Sequence, residues 1–280
     1  MKNINANDIT KAVKLMCMEA NYYLGEDVLR AFNKALKEEK SPAGVSVMEQ
    51  LIENANIAKN EQVPMCQDTG FAVFFVELGQ DAHITGGTLK DAINEGVRQG
   101  YTEGFLRKSI VSDPLKRVNT KDNTPAVVHI ELVPGENLKI TIAPKGGGSE
   151  NMSGLKMLKP ADGVKGVKDF VIERVSQAGS NPCPPIVVGV GIGGTFEVAA
   201  MLAKKALLRE LGKHHPDPDT AELEKELLEK VNNLGIGPQG FGGRITALAV
   251  NIEKHPCHIA SLPVAVNINC HAHRHKEVIL

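Results

Sequence analysis

The chain has 280 residues, of which 42% are hydrophobic and 23% are charged, and its formal net charge is −1. This composition predicts a soluble globular protein with one large core or two subdomains, and it excludes a fibrous or disordered chain. The balanced charge and the aromatic content of 4% also argue against a nucleic-acid partner, which would need clustered cations and stacking side chains.

The N-terminal residues lack a cationic region followed by an apolar one, and polar residues interrupt every apolar run before it reaches membrane length. The five cysteines, an odd number spread along a large chain, do not resemble the disulfide framework of a small secreted protein. We therefore expect a cytoplasmic protein with reduced thiols and no membrane partner.

The first 60 residues are predicted to be helical. Apolar side chains recur at helical spacing in two stretches of residues 8–39, and Ser41 followed by Pro42 predicts a third helix that runs to about residue 59. Cys17 lies within the first apolar stripe, so it is interpreted as a core thiol.

Residues 64–70 (PMCQDTG) combine a thiol, an amide, a carboxylate and a hydroxyl in one turn, directly before the strand-like run 71–76. Each of these groups is costly to bury without a partner. The segment therefore predicts a ligand site at the entrance to a strand.

Two regular patterns follow this turn. Thr88, with Asp91 three positions later, predicts the N-cap of a helix. Residues 125–143 alternate between apolar and polar on both sides of the turn at 134–137, which predicts a β-hairpin.

Residues 144–151 (PKGGGSEN) contain three consecutive glycines. Glycines adopt positive φ easily and can expose N–H groups to an anion. With Lys145, Ser149 and Asn151 around them, they predict a carboxylate or phosphate site. A helix over about 162–178 follows.

Residues 189–194 (GVGIGG) follow a strand-like run and precede a helix, so they fit the dinucleotide fingerprint. That fingerprint also needs a second strand ending in an acidic residue about 20 positions later, and here another helix, at 220–233, follows instead. We interpret the glycines as an anion-binding or close-packing turn, and a nicotinamide-dependent oxidoreductase as a remote alternative.

The rest of the chain adds strand-like runs at 244–252 and 262–270. No fixed-period repeat is present, and the polar stretch 211–222 is the one candidate for a subdomain boundary. We expect one α+β catalytic domain over residues 1–280, with small mixed sheets surrounded by helices.

Three cysteines lie at the edges of strand-like segments, where loops gather and ligands bind: Cys66, Cys183 and Cys270. Their wide separation differs from the local Cys-x-x-Cys pairs of zinc ribbons and electron carriers. This pattern favours an iron–sulfur cube with one open iron, placed in the strand-edge loops.

A zinc site near the C-terminus is the competing interpretation. By residue type it could draw on Cys257, His258, Cys270, His271, His273 and His275. The alternating histidines fit an exposed strand face more simply.

Taken together, these stretches resemble the class I, iron–sulfur-dependent fumarate hydratases and the related L-tartrate dehydratases, in particular the alpha subunit of the two-subunit forms. The similarity covers essentially the whole chain. It is carried by the segments 66–70 (CQDTG), 101–109 (YTEGFLRKS), 122–126 (DNTPA), 145–151 (KGGGSEN), 181–183 (NPC), 189–195 (GVGIGGT), 234–237 (LGIG) and 255–263 (HPCHIASLP).

The resemblance implies a 4Fe–4S cluster with one iron that lacks a cysteine ligand, held by Cys66, Cys183 and Cys270, with Cys257 outside the ligand set. It also implies catalytic roles for Asp68, Arg107 and His258. The implied substrate contacts are Gln67, Asp68, Arg107, Gly146, Gly147, Gly148 and His258.

The same resemblance implies a reversible hydration of a C4 dicarboxylate, with fumarate and (S)-malate as the first candidates and L-tartrate as the alternative. It further implies a beta subunit that carries the remaining active-site residues, in an alpha2–beta2 assembly. A non-catalytic iron–sulfur sensor would use the same three thiols, but it would have no need for Arg107 or the glycines.

Overall fold

The computed structural model of the protein describes residues 2–280, which fold into two compact units. In chain order the elements are β1 (Lys2–Asn5), α1 (Ala6–Tyr22), α2 (Glu26–Glu38), α3 (Pro42–Glu61), β2 (Phe71–Gly79), β3 (Ala82–Thr85), α4 (Leu89–Glu103), β4 (Val127–Val133), β5 (Leu138–Lys145), α5 (Gly147–Glu150), β6 (Gly154–Leu158), α6 (Gly163–Ala178), β7 (Ile186–Gly193), α7 (Phe196–Ala206), α8 (Pro218–Asn232), β8 (Ala247–His255), β9 (Leu262–Asn269) and β10 (Lys276–Ile279). The mixed α and β content, with small sheets, confirms the predicted α+β class.

Unit 1 comprises the residues up to Leu24 together with Asn54–Gly147 and Arg274–Leu280. Its four-stranded sheet has the order β10–β5–β2–β4, and a separate parallel pair joins β1 to β3. Helices α1 and α4 pack against each other, and apolar side chains such as Ile9 of α1 share one core with Phe74 of β2. The helical spacing seen in the sequence is what places these side chains on one buried face.

The two strands predicted at 125–143 form, but they do not pair as a hairpin. β4 pairs with β2 in parallel and β5 pairs with β2 antiparallel, so β2 lies between them. β2 is mostly buried along its length, which suits a central strand, whereas β4 is largely exposed or half-buried, as an edge strand is. The hairpin prediction was wrong because alternation within two strands does not reveal an earlier strand between them.

Unit 2 comprises Gly25–Glu53 and Gly148–His273, and its sheet has the order β6–β9–β7–β8. β7 runs parallel to β8 and antiparallel to β9. Helices α6 and α8 bury one face of this sheet, where Val171 and Leu227 share a core with Val188. Helix α7 packs on the opposite face.

The glycine pattern at 189–194 serves helix packing. Gly189 and Gly191 lie inside β7, where an added Cβ would be 2.0 Å from the carbonyl oxygen of Ala203 and 2.1 Å from that of Ala199, respectively. Only hydrogen fits at both positions, so α7 lies directly on the backbone of β7. Of the two alternatives left open for this segment, close packing is therefore confirmed at Gly189 and Gly191.

The predicted helix starts are also confirmed. The Ser41 hydroxyl accepts the N–H of Gly44 at 3.3 Å, and the Thr88 hydroxyl accepts the N–H of Asp91 at 3.1 Å. The four short strands β1, β3, β6 and β10, each of four or five residues, were not predicted. The polar stretch 211–222 lies inside unit 2.

No helix in the described residues combines the length and the apolar character that crossing a bilayer requires.

Candidate functional site

Residues 65–70, the Cys66 turn, connect α3 to β2 within unit 1. The N–H of Met65 donates to the carbonyl oxygen of Asn21 at 3.0 Å, and the Asn54 amide donates to the carbonyl oxygen of Met65 at 2.8 Å. The turn therefore begins from a position fixed by two helices, and the half-buried thiol of Cys66 follows at once.

The end of the turn rests on buried polar groups. The Tyr101 hydroxyl lies 2.9 Å from the carbonyl oxygen of Thr69 and 3.1 Å from that of Gly70, and the Asn123 amide donates to Gly70 at 3.2 Å. Burial raises the pKa of the Tyr101 phenol well above its usual value, so it stays a hydrogen-bond donor at neutral pH. These contacts fix the backbone of the two residues that follow Asp68.

Asp68 is half-buried, and both of its carboxylate oxygens accept backbone N–H groups. Oδ1 accepts from Gly70 at 3.0 Å, and Oδ2 accepts from Gly147 at 2.7 Å. An ionised carboxylate has further lone pairs available, so Asp68 can still accept from a bound hydroxyl group. The structure thus brings together Asp68 and one of the three predicted glycines, 79 positions apart in the chain.

Arg107 and Gln67 present exposed side chains in the same unit. The carbonyl oxygen of Arg107 accepts the Thr69 hydroxyl at 2.9 Å, which ties its backbone to the Cys66 turn. Gln67 Oε1 lies 3.4 Å from the sulfur of Cys66. The Arg107 backbone is thus fixed at the Cys66 turn, and its planar guanidinium is by its chemistry suited to bidentate binding of a carboxylate.

The glycine segment, residues 146–148, differs from its prediction. None of the three glycines has a positive φ, and the helical turn α5 begins at Gly147. A Cβ at Gly147 or Gly148 would have no neighbour closer than 3.8 Å. The described residues would therefore leave room for a side chain at both positions. The absence of one is consistent with the close approach of a ligand to the backbone.

In unit 2, Cys183 and Cys270 meet at one end of the sheet. Cys183 precedes β7 and Cys270 follows β9, and these two strands are antiparallel neighbours. The N–H of His271 donates to the carbonyl oxygen of Cys183 at 3.2 Å, and the Gln239 amide donates to the carbonyl oxygen of Pro184 at 2.7 Å. Cys183 is exposed and has a φ of +57°, which is uncommon for a residue other than glycine.

Cys257 and His258 lie at the opposite end of the same sheet. They follow β8, whose last residue pairs with Gly193 at the far end of β7. Together with α6 and α8 they line a cavity of about 660 Å³. The structure therefore does not bring His258 together with Cys183 and Cys270 of the same chain.

The histidines near the C-terminus do not occupy an exposed strand face, so that interpretation was wrong. Residues 271–275 are irregular, and His273 is only 1% exposed. The side chain of His273 contacts the amide of Asn269 at 2.9 Å. The alternation arises from a segment that folds inward between β9 and β10.

None of the five cysteines forms a disulfide. Cys17 is buried in the core of unit 1, as predicted, and burial raises the pKa of its thiol.

Within residues 2–280, no three Cys, His, Asp or Glu side chains are gathered as a metal-ion site. Cys66, Cys183 and Cys270 are all at least partly accessible, and thiolates are the ligands that iron–sulfur clusters use. The donor set thus fits such a cluster by its chemistry.

Three residues around the Cys66 turn were not singled out from the sequence: Tyr101, Asn123 and Arg274. Tyr101 and Asn123 lie within motifs that carried the resemblance, so their positions were indicated but their supporting role was not. Arg274 gave no signal, because an arginine beside histidines is usually on the surface.

Comparisons with known proteins agree with one another. The sequence model of the family described as fumarate hydratase (fumerase) matches residues 10–279. A provisionally named L(+)-tartrate dehydratase subunit alpha from Methanocaldococcus jannaschii is 49% identical over 272 residues, which are 95% of each chain.

The L(+)-tartrate dehydratase subunit alpha of Escherichia coli strain UTI89 is 35% identical over 272 residues, covering 96% of this chain and 89% of that one. The protein of the same name from strain K12 is 34% identical over 278 residues, covering 98% and 91%. With matches of this extent, the chain belongs to the fumarate hydratase family of hydro-lyases.

Proposed function

We propose that this chain is the alpha-type subunit of an enzyme that interconverts fumarate and water with (S)-malate. The observation that carries the proposal is the fixed carboxylate of Asp68, held by the N–H groups of Gly70 and Gly147 in the turn that contains Cys66. Family membership supports hydro-lyase chemistry, and the family model is that of fumarate hydratase. A fixed acceptor near an exposed Arg107 suits a substrate with a hydroxyl and a carboxylate.

We assign a 4Fe–4S cluster with one iron lacking a cysteine ligand to Cys66, Cys183 and Cys270. Cys183 and Cys270 share one end of the unit 2 sheet, whereas Cys257 lies at the other, which supports Cys270 as the third ligand. When bound, the cluster supplies Lewis acidity at its open iron.

One side chain and a set of backbone amides bind the two carboxylates of the substrate. Arg107 takes one carboxylate bidentately. The amides at the start of α5 face the other, and Gln67 adds a donor from its exposed amide. The N–H of Gly147 is already used by Asp68, so Gly147 contributes by positioning that carboxylate.

In the direction of dehydration, malate loses a proton from C3 and hydroxide from C2, and these leave as water. Asp68 accepts the hydrogen of the C2 hydroxyl group and so orients the leaving oxygen. Arg107 stabilises the negative charge that develops on the carboxylate next to C3, and the α5 amides hold the other carboxylate. We assign the base that removes the C3 proton to the partner subunit.

His258 is proposed as a substrate contact from a second copy of the chain. β7 has eight residues and therefore spans about 25 Å, which separates His258 from Cys183 of its own chain. A second alpha chain is available in the alpha2–beta2 assembly that we propose. The relatives described above are named alpha subunits, which supports a beta partner.

L-Tartrate is the second candidate substrate. The observation in its favour is that the relatives described above carry L(+)-tartrate dehydratase names. Tartrate differs from malate by one hydroxyl group, and a pocket that pairs this group would discriminate strongly between the two diacids.

The test is anaerobic purification of the chain coexpressed with the product of its neighbouring gene. We expect a 4Fe–4S signal in electron paramagnetic resonance after reduction, a change in that signal on adding diacid, and conversion of malate or tartrate followed by NMR. A sensor would bind the cluster without any change on adding diacid. An oxidoreductase would bind NADH. Absence of a cluster, or absence of lyase activity with every C4 diacid in the complete complex, would contradict the proposal.

A further inference from the structure

The edge strand β4 lacks the features that usually prevent an edge from pairing. It has seven residues, and within residues 2–280 it pairs with β2 alone. Its sequence, VVHIELV, contains no lysine, arginine or proline. The opposite edge of the same sheet, β10, has only four residues and carries Lys276. Short length and charge are what protect edge strands, so the outer side of β4 is suited to bind a further strand.

The apolar side chains of β4 extend the core face of unit 1 beyond the part that is covered. Ile130 is in register with Val76 of β2, so its side chain lies on the face of the sheet that holds the core. Leu132 lies on the same face, two positions later. Val76 is buried, whereas Ile130 is 53% exposed and Leu132 is 66% exposed. A row that is packed on the central strand and open on the edge strand indicates an apolar partner.

The sequence of β4 is complementary to itself when two copies run antiparallel. If Ile130 lies opposite Ile130 of a second copy, all seven residues of each strand are paired. Val128 then faces Leu132, and His129 faces Glu131. Apolar side chains thus lie opposite apolar ones, and the imidazole lies opposite a carboxylate, which are favourable cross-strand pairs.

The neighbouring registers fit less well. Residues directly opposite each other lie on the same face of a sheet, so a two-fold axis perpendicular to the sheet places one residue opposite its own copy. An axis at Glu131 would set two carboxylates side by side, which is destabilising. An axis at His129 would set Glu131 opposite Val127 and leave Leu132 outside the paired region. The charges and the apolar residues both favour the axis at Ile130.

We infer that β4 is the contact between two alpha chains. β4 of one copy pairs antiparallel with β4 of the second copy about Ile130, and the four-stranded sheets of the two copies become one continuous sheet. The inference rests on the proposed function for the presence of a second alpha chain, and it names the surface that joins the two. The occupant of this edge is therefore another copy of this chain and not the beta subunit.

The first experiment tests the register by disulfide cross-linking of the full chain, expressed with its partner subunit. Ile130→Cys puts a thiol on the axis, where opposite Cα atoms are about 4.5–5.5 Å apart and within reach of a disulfide. Leu132→Cys is the matched control, because it is more exposed but lies about 13 Å along the strand from its own copy. The native protein gives the background from its own cysteines.

Under mild oxidation we expect Ile130→Cys to form alpha–alpha dimers, seen on a non-reducing gel, about tenfold faster than Leu132→Cys or more. Random collision would favour the more exposed thiol of Leu132→Cys. Cross-linking of Ile130→Cys that is absent, or no faster than that of Leu132→Cys, would overturn the inference.

The second experiment separates the two copies. Ile130→Lys places a charge on the axis, opposite the same charge of the second copy. Leu15→Lys on α1 is its control, because Leu15 is 54% exposed and lies in the same unit. Sedimentation velocity of each complex should give one alpha chain for Ile130→Lys and two for Leu15→Lys and the native protein.

Two alpha chains retained in Ile130→Lys would overturn the inference and leave the proposed function intact. Loss of the beta subunit, with both alpha chains retained, would assign β4 to that subunit and would overturn it as well. If Ile130→Lys does not fold, the cross-linking comparison decides. A native complex with a single alpha chain would contradict the proposed assembly together with the inference, so the two failures are distinguishable.

Discussion

Asp68 shows how the backbone fixes a single carboxylate in the Cys66 turn. Backbone N–H groups occupy one lone pair on each of its oxygens. The buried side chains of Arg274 and Tyr101 donate to the main-chain carbonyls of Asp68 and Thr69, respectively. The remaining lone pairs of the two oxygens accept no further hydrogen bond from residues 2–280. A carboxylate fixed in this way loses little conformational entropy when substrate binds.

Replacing Asp68 by Asn tests this role. The amide keeps the size of the side chain but removes the charge and turns one acceptor into a donor. We expect turnover to fall by about 10²- to 10⁴-fold, with the cluster spectrum retained. Asp81→Asn, at an exposed position in the same unit, is the control and should keep native turnover. Native turnover in Asp68→Asn would reject the role.

Cys183 has a strained backbone conformation. A residue other than glycine with a φ of +57° pays of order 1–3 kcal/mol, and such residues cluster at functional sites. Here the strained backbone turns the Cys183 carbonyl toward the N–H of His271 and leaves the thiol exposed. This conformation favours a ligand role over a role in the core.

At the scale of elements, Glu39 links the end of α2 to the segment that leads into β8. Its carboxylate is 4% exposed and accepts N–H groups from Ser41, Arg244 and Ile245, among others. Burial alone would raise the pKa of this carboxyl group, but the backbone donors together lower it below its usual value. The ionised form therefore stabilises unit 2.

The sign of the resulting pH dependence can be tested with Glu39→Gln. Because the folded pKa is lowered, the stabilisation is complete above the unfolded pKa and is lost as the pH falls through the folded pKa. We expect Glu39→Gln to reduce the free energy of unfolding by about 1–3 kcal/mol at pH 7. The difference from the native protein should shrink below about pH 4 in chemical denaturation. A difference that grows on acidification would contradict this assignment.

Two glycines that look alike in the sequence should respond differently to alanine. Gly191→Ala places a Cβ against the Ala199 carbonyl of α7, so we expect a loss of about 1–3 kcal/mol or more in unfolding free energy. Gly148→Ala has open space and a helical backbone, so its stability should be native, while its Michaelis constant should rise. Thermal unfolding and substrate titration of both variants separate packing from binding, and equal stability in both would refute the distinction.

Local sequence patterns predicted those features that depend on a single helix or strand. The apolar stripe of α1 and the N-caps at Ser41 and Thr88 are examples. Strand pairing was not predictable in the same way, because the placement of β2 between β4 and β5 depends on which strand buries both faces. The glycines of β7 were ambiguous for a similar reason, since helix packing and anion binding both favour glycine.

The residue types of the candidate site could be proposed from the sequence, but the buried side chains that hold the Cys66 turn could not. Cys66, Asp68 and Arg107 could be named from their motifs and from the family resemblance, whereas the burial of Arg274 depends on how the last residues fold into unit 1. The location of His258 at the far end of the sheet was equally hidden, because it follows from strand register. Burial and register are properties of the folded chain and leave no local pattern.

At the scale of the whole molecule, two cores are built from interleaved parts of one chain. Cys66 belongs to unit 1, and Cys183 and Cys270 belong to unit 2. The proposed ligand set therefore includes cysteines from different parts of the chain, and the identity of these ligands is the central claim.

The most direct test is the iron and sulfide content of four single Cys→Ser variants, purified anaerobically in the native complex. Cys66→Ser, Cys183→Ser and Cys270→Ser should each lose the 4Fe–4S signal, because each removes one of the ligands. Cys257→Ser should retain native iron, sulfide and spectrum. A full cluster in any of the first three variants, or its loss in Cys257→Ser, would contradict the account.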